Sequence, residues 1–234
     1  MKAALLAHAR AVKGFMPDDE GLALHEVGVA AGRMGAGPLL EVGTYCGKSA
    51  VYLGAAAQAT SSILVSVDHH RGSEENQVDW EHHDPTLVSP SSGRIDTLPV
   101  ARRAIEEGGL EAHVVLVVGE STAVAAMWST PLALLFIDGG HGEAVAWADY
   151  RAWTPKVAAG GFLAIHDVFP DPKDGGRPPY ELYCAAVESG DWVEEPRGCG
   201  SLRVLRRVLP VASPELKAES APHQKRDAQA GQAD

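Results

Sequence analysis

Five short apolar runs occur within the first 165 residues, and each is bounded by glycine, proline or polar residues. They lie at 38–42, 62–67, 114–118, 132–137 and 161–165. Each run is apolar at consecutive positions instead of at alternate ones, and a parallel sheet covered by helices on both faces requires this pattern. The runs therefore predict five buried strands of an α/β protein.

Helical segments are predicted between these strands and after the last of them. Their predicted ranges are 47–58, about 95–107, 142–154 and 179–189. We expect the glycine pairs Gly108-Gly109 and Gly160-Gly161 to end the second and third helices. The segments 191–195 and 201–206, joined by a turn at 197–200, predict an antiparallel hairpin. The predicted fold is Rossmann-like: a doubly wound, mostly parallel, seven-stranded sheet with a C-terminal antiparallel hairpin.

The 234 residues suit one main domain. We expect an N-terminal helical segment at 1–35, the domain itself at 36–209, and a disordered tail at 210–234, where periodicity is lost. The stretch 69–92 is long, polar and rich in histidine, proline, serine and glycine, and long loops in compact domains tend to be functional. It is the predicted lid.

The chain is acidic, with a formal net charge of −11. Nucleic-acid binding needs a basic field, so no nucleic-acid partner is expected. No apolar run approaches the roughly 20 residues of a membrane-spanning helix, so no membrane partner is expected either. Cys46, Cys184 and Cys199 are far apart and odd in number, which predicts neither a disulfide framework nor a zinc knuckle and favours a cytoplasmic location.

Candidate chemistry first appears after the fourth predicted strand, in the sequence Asp138-Gly139-Gly140-His141. A carboxylate at a strand end can hold a metal, and a histidine three residues later can take a proton. Turns also favour Asp and Gly for backbone reasons alone. Asp167 follows the fifth predicted strand, and the carboxyl ends of neighbouring strands converge in doubly wound sheets. This second acid favours a site over an incidental turn.

A second candidate site follows the first strand, where the turn from Glu41 to Ser49 contains Gly43 and Gly47 and runs into a helix. Backbone without side chains can lie close to a ligand, and a helix N-terminus offers free N–H groups. Asp68 ends the second strand, where an acid can accept ribose hydroxyls. The turn lacks the glycine that a P-loop needs five residues before Gly47-Lys48, so a phosphate site is disfavoured.

This order of motifs resembles the class I S-adenosylmethionine-dependent methyltransferases. The resemblance covers about residues 36–206 and identifies Glu41 as the first-motif acid, Gly43 and Gly47 as residues shaping the methionine pocket, and Asp68 as the ribose acid. It also implies that Gly119-Glu120-Ser121 flanks the adenine. The residues expected at the S-adenosylmethionine cofactor are Glu41, Gly43, Tyr45, Gly47, Ser49, Asp68, Glu120, Ser121 and Asp138. Tyr45 is expected either to pack over the cofactor or to fill the core.

The acids after strands four and five resemble those of the metal-dependent O-methyltransferases. By that resemblance Asp138 and Asp167 bind Mg²⁺ or a similar divalent cation, and His141 is the catalytic base. The catechol branch has Lys and Asn where this chain has His141 and Val168, whereas a histidine base and an acid pair resemble the sugar-modifying branch. The candidates for a third metal ligand are His166, lid acids and water. Strand alternation would turn the His166 side chain away from the acids and make it a supporting residue.

The function predicted is methyl transfer to a sugar hydroxyl, with a mannose oligosaccharide considered as acceptor. The lid stretch 69–84 carries Trp80 and many polar side chains suited to a sugar, while its adjacent histidines also allow transition-metal binding. Two alternatives stay open: an O-methyltransferase of a phenol or antibiotic, and a non-catalytic nucleoside-binding protein. The expected partner is a small-molecule or oligosaccharide acceptor, and a homodimer is the assembly considered.

Overall fold

The computed structural model describes residues 1–77, 80, 83–140, 142–171, 173–174 and 176–208, without the side chain of Glu75. The predicted tail 210–234 and residues 78–79 and 81–82 of the predicted lid lie outside the described residues. The described strands form one seven-stranded sheet. They are β1 (Leu39–Val42), β2 (Leu64–Asp68), β3 (Val114–Val118), β4 (Leu132–Ile137), β5 (Val157–Ile165), β6 (Trp192–Glu194) and β7 (Arg203–Arg207).

Helices connect most of the strands, and two helices precede the sheet. They are α1 (Ala3–Ala11), α2 (Asp18–Met34), α3 (Lys48–Thr60), α4 (Leu98–Glu107), α5 (Ser121–Met127), α6 (Glu143–Trp153) and α7 (Arg177–Glu188). Short 3₁₀ helices occur at Glu74–Asn76, Pro85–Leu87 and Thr154–Lys156. No helix within the described ranges combines the length and the apolar character that crossing a bilayer requires.

The strand order across the sheet is β3-β2-β1-β4-β5-β7-β6. The first five strands are parallel, and β7 runs antiparallel to both β5 and β6. The order reverses between β1 and β4, which pair in register so that Val42 lies beside Ile137. Ligands bind beyond the carboxyl ends of the strands at such a reversal. The predicted fold class is confirmed, including the C-terminal antiparallel strands.

Alternate residues of the strands enter two separate cores. On one face, Leu39 and Phe136 pack with α1, α2, α3 and α4. On the other, Leu40 and Ile137 pack with residues of α5, α6 and α7, including the fully buried Trp153. Burying apolar surface on both faces stabilises the sheet and fixes the direction of each strand end.

The structure corrects two expectations about helix boundaries. Gly160 and Gly161 do not end a helix: α6 stops at Trp153, and both glycines lie inside β5. The Cβ that any other residue would add at Gly161 would lie only 2.9 Å from the Ala158 carbonyl oxygen, so this glycine serves close backbone packing. The second helix begins at Leu98 instead of Ile95, which forms a β-bridge with Val88.

Candidate active site

The turn after β1 approaches the turn after β4 through Gly43. The φ angle of Gly43 is +96°, and a Cβ at this position would lie 2.1 Å from the carbonyl oxygen of Asp138. Only glycine permits this backbone angle without strain and leaves room for the carbonyl. The predicted cofactor turn and the predicted metal-binding turn are therefore in direct contact.

Asp68, the predicted ribose acid, supports the shape of the cofactor turn. Its Oδ2 accepts hydrogen bonds from the backbone N–H groups of Thr44 (2.9 Å) and Tyr45 (2.8 Å), and its Oδ1 accepts one from His70 (2.7 Å). A carboxylate has about four acceptor positions. Three of them hold the backbone of two loops, so Asp68 links the β1 turn to the start of the lid.

Glu41 lies completely buried at the end of β1. The Ser66 hydroxyl donates to its Oε1 (2.5 Å), and Oε2 has no hydrogen-bond partner within the described part of the chain. Burial raises the pKa of Glu41 to about 8, against the opposing effect of the Ser66 and Ser49 hydroxyls. Glu41 is therefore protonated at neutral pH unless a positively charged group approaches it.

The other residues predicted for this turn have structural contacts. The Tyr45 ring lies 5.4 Å from the ring of Phe15, which precedes α2. Gly47 caps α3 with a φ angle of +93°, and a Cβ there would lie 3.3 Å from Ala101 of α4. Ser49 is buried in the first turn of α3. These contacts set the position of the turn against two neighbouring helices.

Glu120 and Ser121, predicted near the adenine, begin α5. Glu120 is exposed at the helix N-cap. The Ser121 hydroxyl accepts a hydrogen bond from Nε1 of the buried Trp153 (2.7 Å), and it also bonds to the carboxyl group of Asp149. Ser121 therefore ties α5 to α6.

The structure brings Asp138, His166 and Asp167 together beyond β4 and β5. One donor atom of each lies within 4.8 Å of the others, which is close enough for one metal ion to contact all three. Nδ1 of His166 is 3.0 Å from Oδ1 of Asp138 and 3.3 Å from Oδ2 of Asp167. The expectation that strand alternation turns His166 away is wrong, because β5 ends at Ile165 and the alternation ends with it. Asp167 has a left-handed φ angle of +55°, which marks the sharp turn of the chain after the strand.

Glu20 on α2 completes this cluster, and sequence reasoning missed it. Its Oε2 lies 2.6 Å from Nε2 of His166, and Oε1 accepts a hydrogen bond from the backbone N–H of Ser201 (2.6 Å). The sequence did contain a signal, because Glu20 shares a helical stripe with the buried residues Leu24, Val27 and Ala31. A carboxylate inside an apolar stripe indicates a buried partner.

Charges in the cluster are strongly coupled. Burial alone would lower the pKa of His166, but the carboxylates of Asp138, Asp167 and Glu20 raise it to about 12. Burial opposes ionisation of Glu20, yet hydrogen bonds from His166 and Ser201 lower the pKa of this carboxyl group. Three acids surrounding one imidazole create a site that favours additional positive charge, which fits a divalent cation.

His141, the predicted base, lies outside the described residues. Its neighbour Gly140 is described, and a Cβ there would lie 3.0 Å from Cβ of Ser73 in the lid. Behind this turn lies a narrow cavity lined by Asp138, Asp149, His166 and Leu182 among others. The predicted lid therefore borders the predicted metal-binding turn on one side, and α6 and α7 border it on the other.

Polar groups of the lid mostly bond to the lid itself. The Asn76 side chain accepts hydrogen bonds from the backbone N–H and the hydroxyl of Ser73, and the Gln77 amide donates to the carbonyl oxygens of Arg71 and Ser73. Trp80 is different, because 56% of its surface is exposed. The indole is therefore accessible to a partner.

Comparisons with known proteins agree with this architecture. The family described as Methyltransferase domain (Methyltransf_24) matches residues 40–168, which is more than half of the chain. An SAH-bound methyltransferase from Podospora anserina superposes with a TM-score of 0.60 at 16% identity, covering 89% of each chain. An O-methyltransferase from Bacillus cereus in complex with SAH gives 0.58 at 15% identity, covering 89% of this chain and 92% of that one. A TDP-rhamnose 3'-O-methyltransferase of calicheamicin biosynthesis gives 0.56 at 14% identity, covering 78% and 76%.

Proposed function

Because the chain belongs to the methyltransferase domain family, we propose that it transfers a methyl group from S-adenosylmethionine to a sugar hydroxyl, with a divalent cation orienting the acceptor. The observation that carries the proposal is the contact between Gly43 and the Asp138 carbonyl. It places the turn expected to bind the cofactor directly beside the acids expected to bind the metal. Holding two reactants in one geometry can supply about 7 to 11 kcal/mol of a reaction barrier in favourable cases.

The turn after β1 forms the cofactor side of the proposed site, and acidic side chains lie close to it. Gly43 and Gly47 place no side chain at the two ends of the turn, and Asp68 fixes the backbone between them through Thr44 and Tyr45. The sulfonium group of S-adenosylmethionine is cationic, so the Asp138 carboxylate suits it, and an approaching sulfonium would favour the ionised form of Glu41. The remaining acceptor capacity of Asp68 is available to a ribose hydroxyl.

The acceptor side is formed by Asp138 and Asp167, whose carboxylates would hold a divalent cation. When bound, such a cation lowers the pKa of a coordinated hydroxyl and orients it. The proposed base is His141, three residues after Asp138. It would take the proton from the acceptor hydroxyl as the hydroxyl oxygen attacks the methyl carbon, and the S–C bond would break to release S-adenosylhomocysteine. Asp138 and His141 thus have separate roles in the proposal.

A sugar acceptor is supported by three observations. The exposed indole of Trp80 offers a flat apolar surface of the kind that stacks on a sugar ring. The fold is similar to that of the TDP-rhamnose 3'-O-methyltransferase. The stretch His-Arg-Gly-Ser-Glu-Glu-Asn-Gln at 70–77 resembles the mycobacterial methylmannose-oligosaccharide 1-O-methyltransferase, which makes a mannose oligosaccharide the first acceptor to test.

Calorimetric titration with S-adenosylhomocysteine tests the cofactor part of the proposal. We expect binding at micromolar concentration, and we expect Asp68→Asn to weaken it by about tenfold or more because the turn loses its charged acceptor. Asp191→Asn, an equivalent change at an exposed position before β6, is the control and should bind normally. Failure of the wild-type protein to bind S-adenosylhomocysteine would remove the methyltransferase proposal.

A further inference from the structure

We propose that Glu20 positions His166 as the third protein ligand of the metal site, and that the site therefore selects a transition-metal ion such as Fe²⁺, Co²⁺ or Zn²⁺ over Mg²⁺. The inference deepens the proposed function, because it concerns the same divalent cation. The cation expected at the site is then an ion that accepts a nitrogen ligand, instead of magnesium.

The imidazole of His166 is oriented with Nδ1 towards two carboxylates. His166 is buried, with only 4% of its surface exposed, and Nδ1 lies within 3.3 Å of one carboxylate oxygen each from Asp138 and Asp167. A ring nitrogen in this position can contact the same cation as the two carboxylates. A cation there replaces the Nδ1 proton, which is released to solvent, and gains one nitrogen and two oxygen donors.

Glu20 contacts the opposite side of the His166 ring. Glu20 Oε2 lies 2.6 Å from Nε2 of His166, so Nε2–H donates to a carboxylate while Nδ1 faces the acids. Metal-binding histidines usually donate their second N–H to a carboxylate or a carbonyl, which fixes the tautomer and the ring orientation. Glu20 is thus a positioning residue that acts through His166.

Glu20 is itself held firmly. Ser201 donates to it through both its backbone N–H (2.6 Å) and its hydroxyl (3.1 Å). Gly200 has a φ angle of +55°, and a Cβ there would lie 2.0 Å from Glu20 Oε1. The loop before β7 therefore leaves space that the carboxylate occupies, and the ring orientation depends on contacts from α2 and from this loop.

The donor set determines which ion fits. Magnesium prefers oxygen ligands and retains several waters, whereas imidazole nitrogen favours iron, cobalt, nickel and zinc. Two carboxylates and one imidazole form a mixed set of oxygen and nitrogen donors, which binds an ion that accepts nitrogen more tightly than one that does not. Because even an all-oxygen site can prefer cobalt to magnesium to some extent, the contribution of His166 must be measured as a change in that preference.

The test is a calorimetric titration of the full chain with Co²⁺ and with Mg²⁺, repeated on Glu20→Gln and His166→Asn. We expect wild-type protein to bind Co²⁺ at least about 100-fold more tightly than Mg²⁺. Each variant should weaken Co²⁺ binding by roughly 10- to 100-fold and change Mg²⁺ binding far less. Glu26→Gln makes the same chemical change at an exposed position of α2 and should behave as wild type.

Pulsed electron paramagnetic resonance of the Mn²⁺-loaded protein provides a readout that a purely structural role would not affect. We expect a ¹⁴N coupling from a directly bound imidazole in wild type and its loss in His166→Asn. The wild-type ¹⁴N coupling and the wild-type cobalt-to-magnesium ratio need no variant that might unfold, and Ser201→Ala offers a milder disturbance of Glu20.

Equal Co²⁺ and Mg²⁺ affinities, a Glu20→Gln variant that matches Glu26→Gln, or absence of ¹⁴N coupling would each overturn the inference. These results are independent of the cofactor. Glu20-dependent cobalt binding without S-adenosylhomocysteine binding would retain the inference and reject the proposed function. Methyl transfer by a protein that shows no cobalt preference would reject the inference and retain the proposed function.

Discussion

Nε2 of His166 lies 2.6 Å from Oε2 of Glu20, which joins the second helix to the end of the fifth strand. Both side chains are almost fully buried, with Glu20 4% exposed and His166 4% exposed. The N-terminal segment thus contributes a charged group to the cluster that contains Asp138 and Asp167. The segment is part of the site's architecture, not only a cover for the sheet.

Substitution of Gly200 by alanine should lower metal affinity. The added methyl group would collide with Glu20 Oε1 and move it from His166, so we expect Co²⁺ binding to weaken by about tenfold. Gly190 also has a left-handed φ angle (+75°), but its Cβ position is open. Gly190→Ala therefore carries similar backbone strain without the collision, and equal metal affinities in the two variants would show that Glu20 does not control the site.

Gly43→Ala should destabilise the protein and weaken cofactor binding. The new methyl group would meet the Asp138 carbonyl at 2.1 Å, and this backbone cannot move without displacing β4. We expect unfolding in urea to show a loss of about 2 to 4 kcal/mol. Gly142→Ala, at a position with an ordinary φ angle of −61° and open space, is the control. A Gly43→Ala protein as stable as this control would contradict the contact.

The buried Glu41 should make stability depend on pH in the absence of cofactor. Its pKa rises from 4.5 to about 8 on folding, so the unfolded chain loses the proton at lower pH than the folded one. This contribution to stability is complete below about pH 4.5 and is lost as the pH rises towards 8.

Glu41→Gln removes this titration. Relative to wild type, the variant should therefore gain about 2 to 4 kcal/mol of unfolding free energy between about pH 5 and about pH 9, because one pKa unit corresponds to about 1.4 kcal/mol. Urea unfolding at the two pH values measures the gain. A constant difference between the two proteins would show that Glu41 has an ordinary pKa.

His141→Ala should greatly reduce turnover and preserve affinity for S-adenosylhomocysteine. The reason is that removal of a general base typically costs about 100- to 10,000-fold in rate without affecting cofactor contacts. Single-turnover kinetics and calorimetry measure the two quantities separately. His113→Ala, at a histidine that bonds to the Ser62 carbonyl away from the proposed site, is the control. Normal turnover in His141→Ala would assign the proton transfer to another group.

Five of the strands could be predicted from the sequence because each is a short, nearly continuous apolar run. Most of these runs are buried on both faces of the sheet, although Val115 and Val118 of β3 are exposed. The proximity of Asp138 and Asp167 also followed, since parallel neighbours end at the same edge. Helix α5 was not predicted, because it is only seven residues long and its packing depends on the Trp153 contact with Ser121.

The orientation of His166 and the role of Glu20 could not be derived in the same way. His166 lies one residue beyond β5, where side-chain alternation no longer applies. Asp167 adopts a left-handed conformation, which its residue type alone does not determine. Glu20 is 146 positions from His166, so their contact exists only after α2 has packed against the sheet. Tertiary packing, not local pattern, determines this part of the site.

Methyl transfer from labelled S-adenosylmethionine to manno-oligosaccharides, with and without EDTA, tests the central claim most directly. We predict labelled sugar product with wild-type protein, loss of the product in EDTA, and its recovery when a divalent cation is restored. Full activity in EDTA would contradict the metal's role. Absence of transfer to any hydroxyl acceptor, by a protein that binds S-adenosylhomocysteine, would contradict the proposed O-methyltransferase activity.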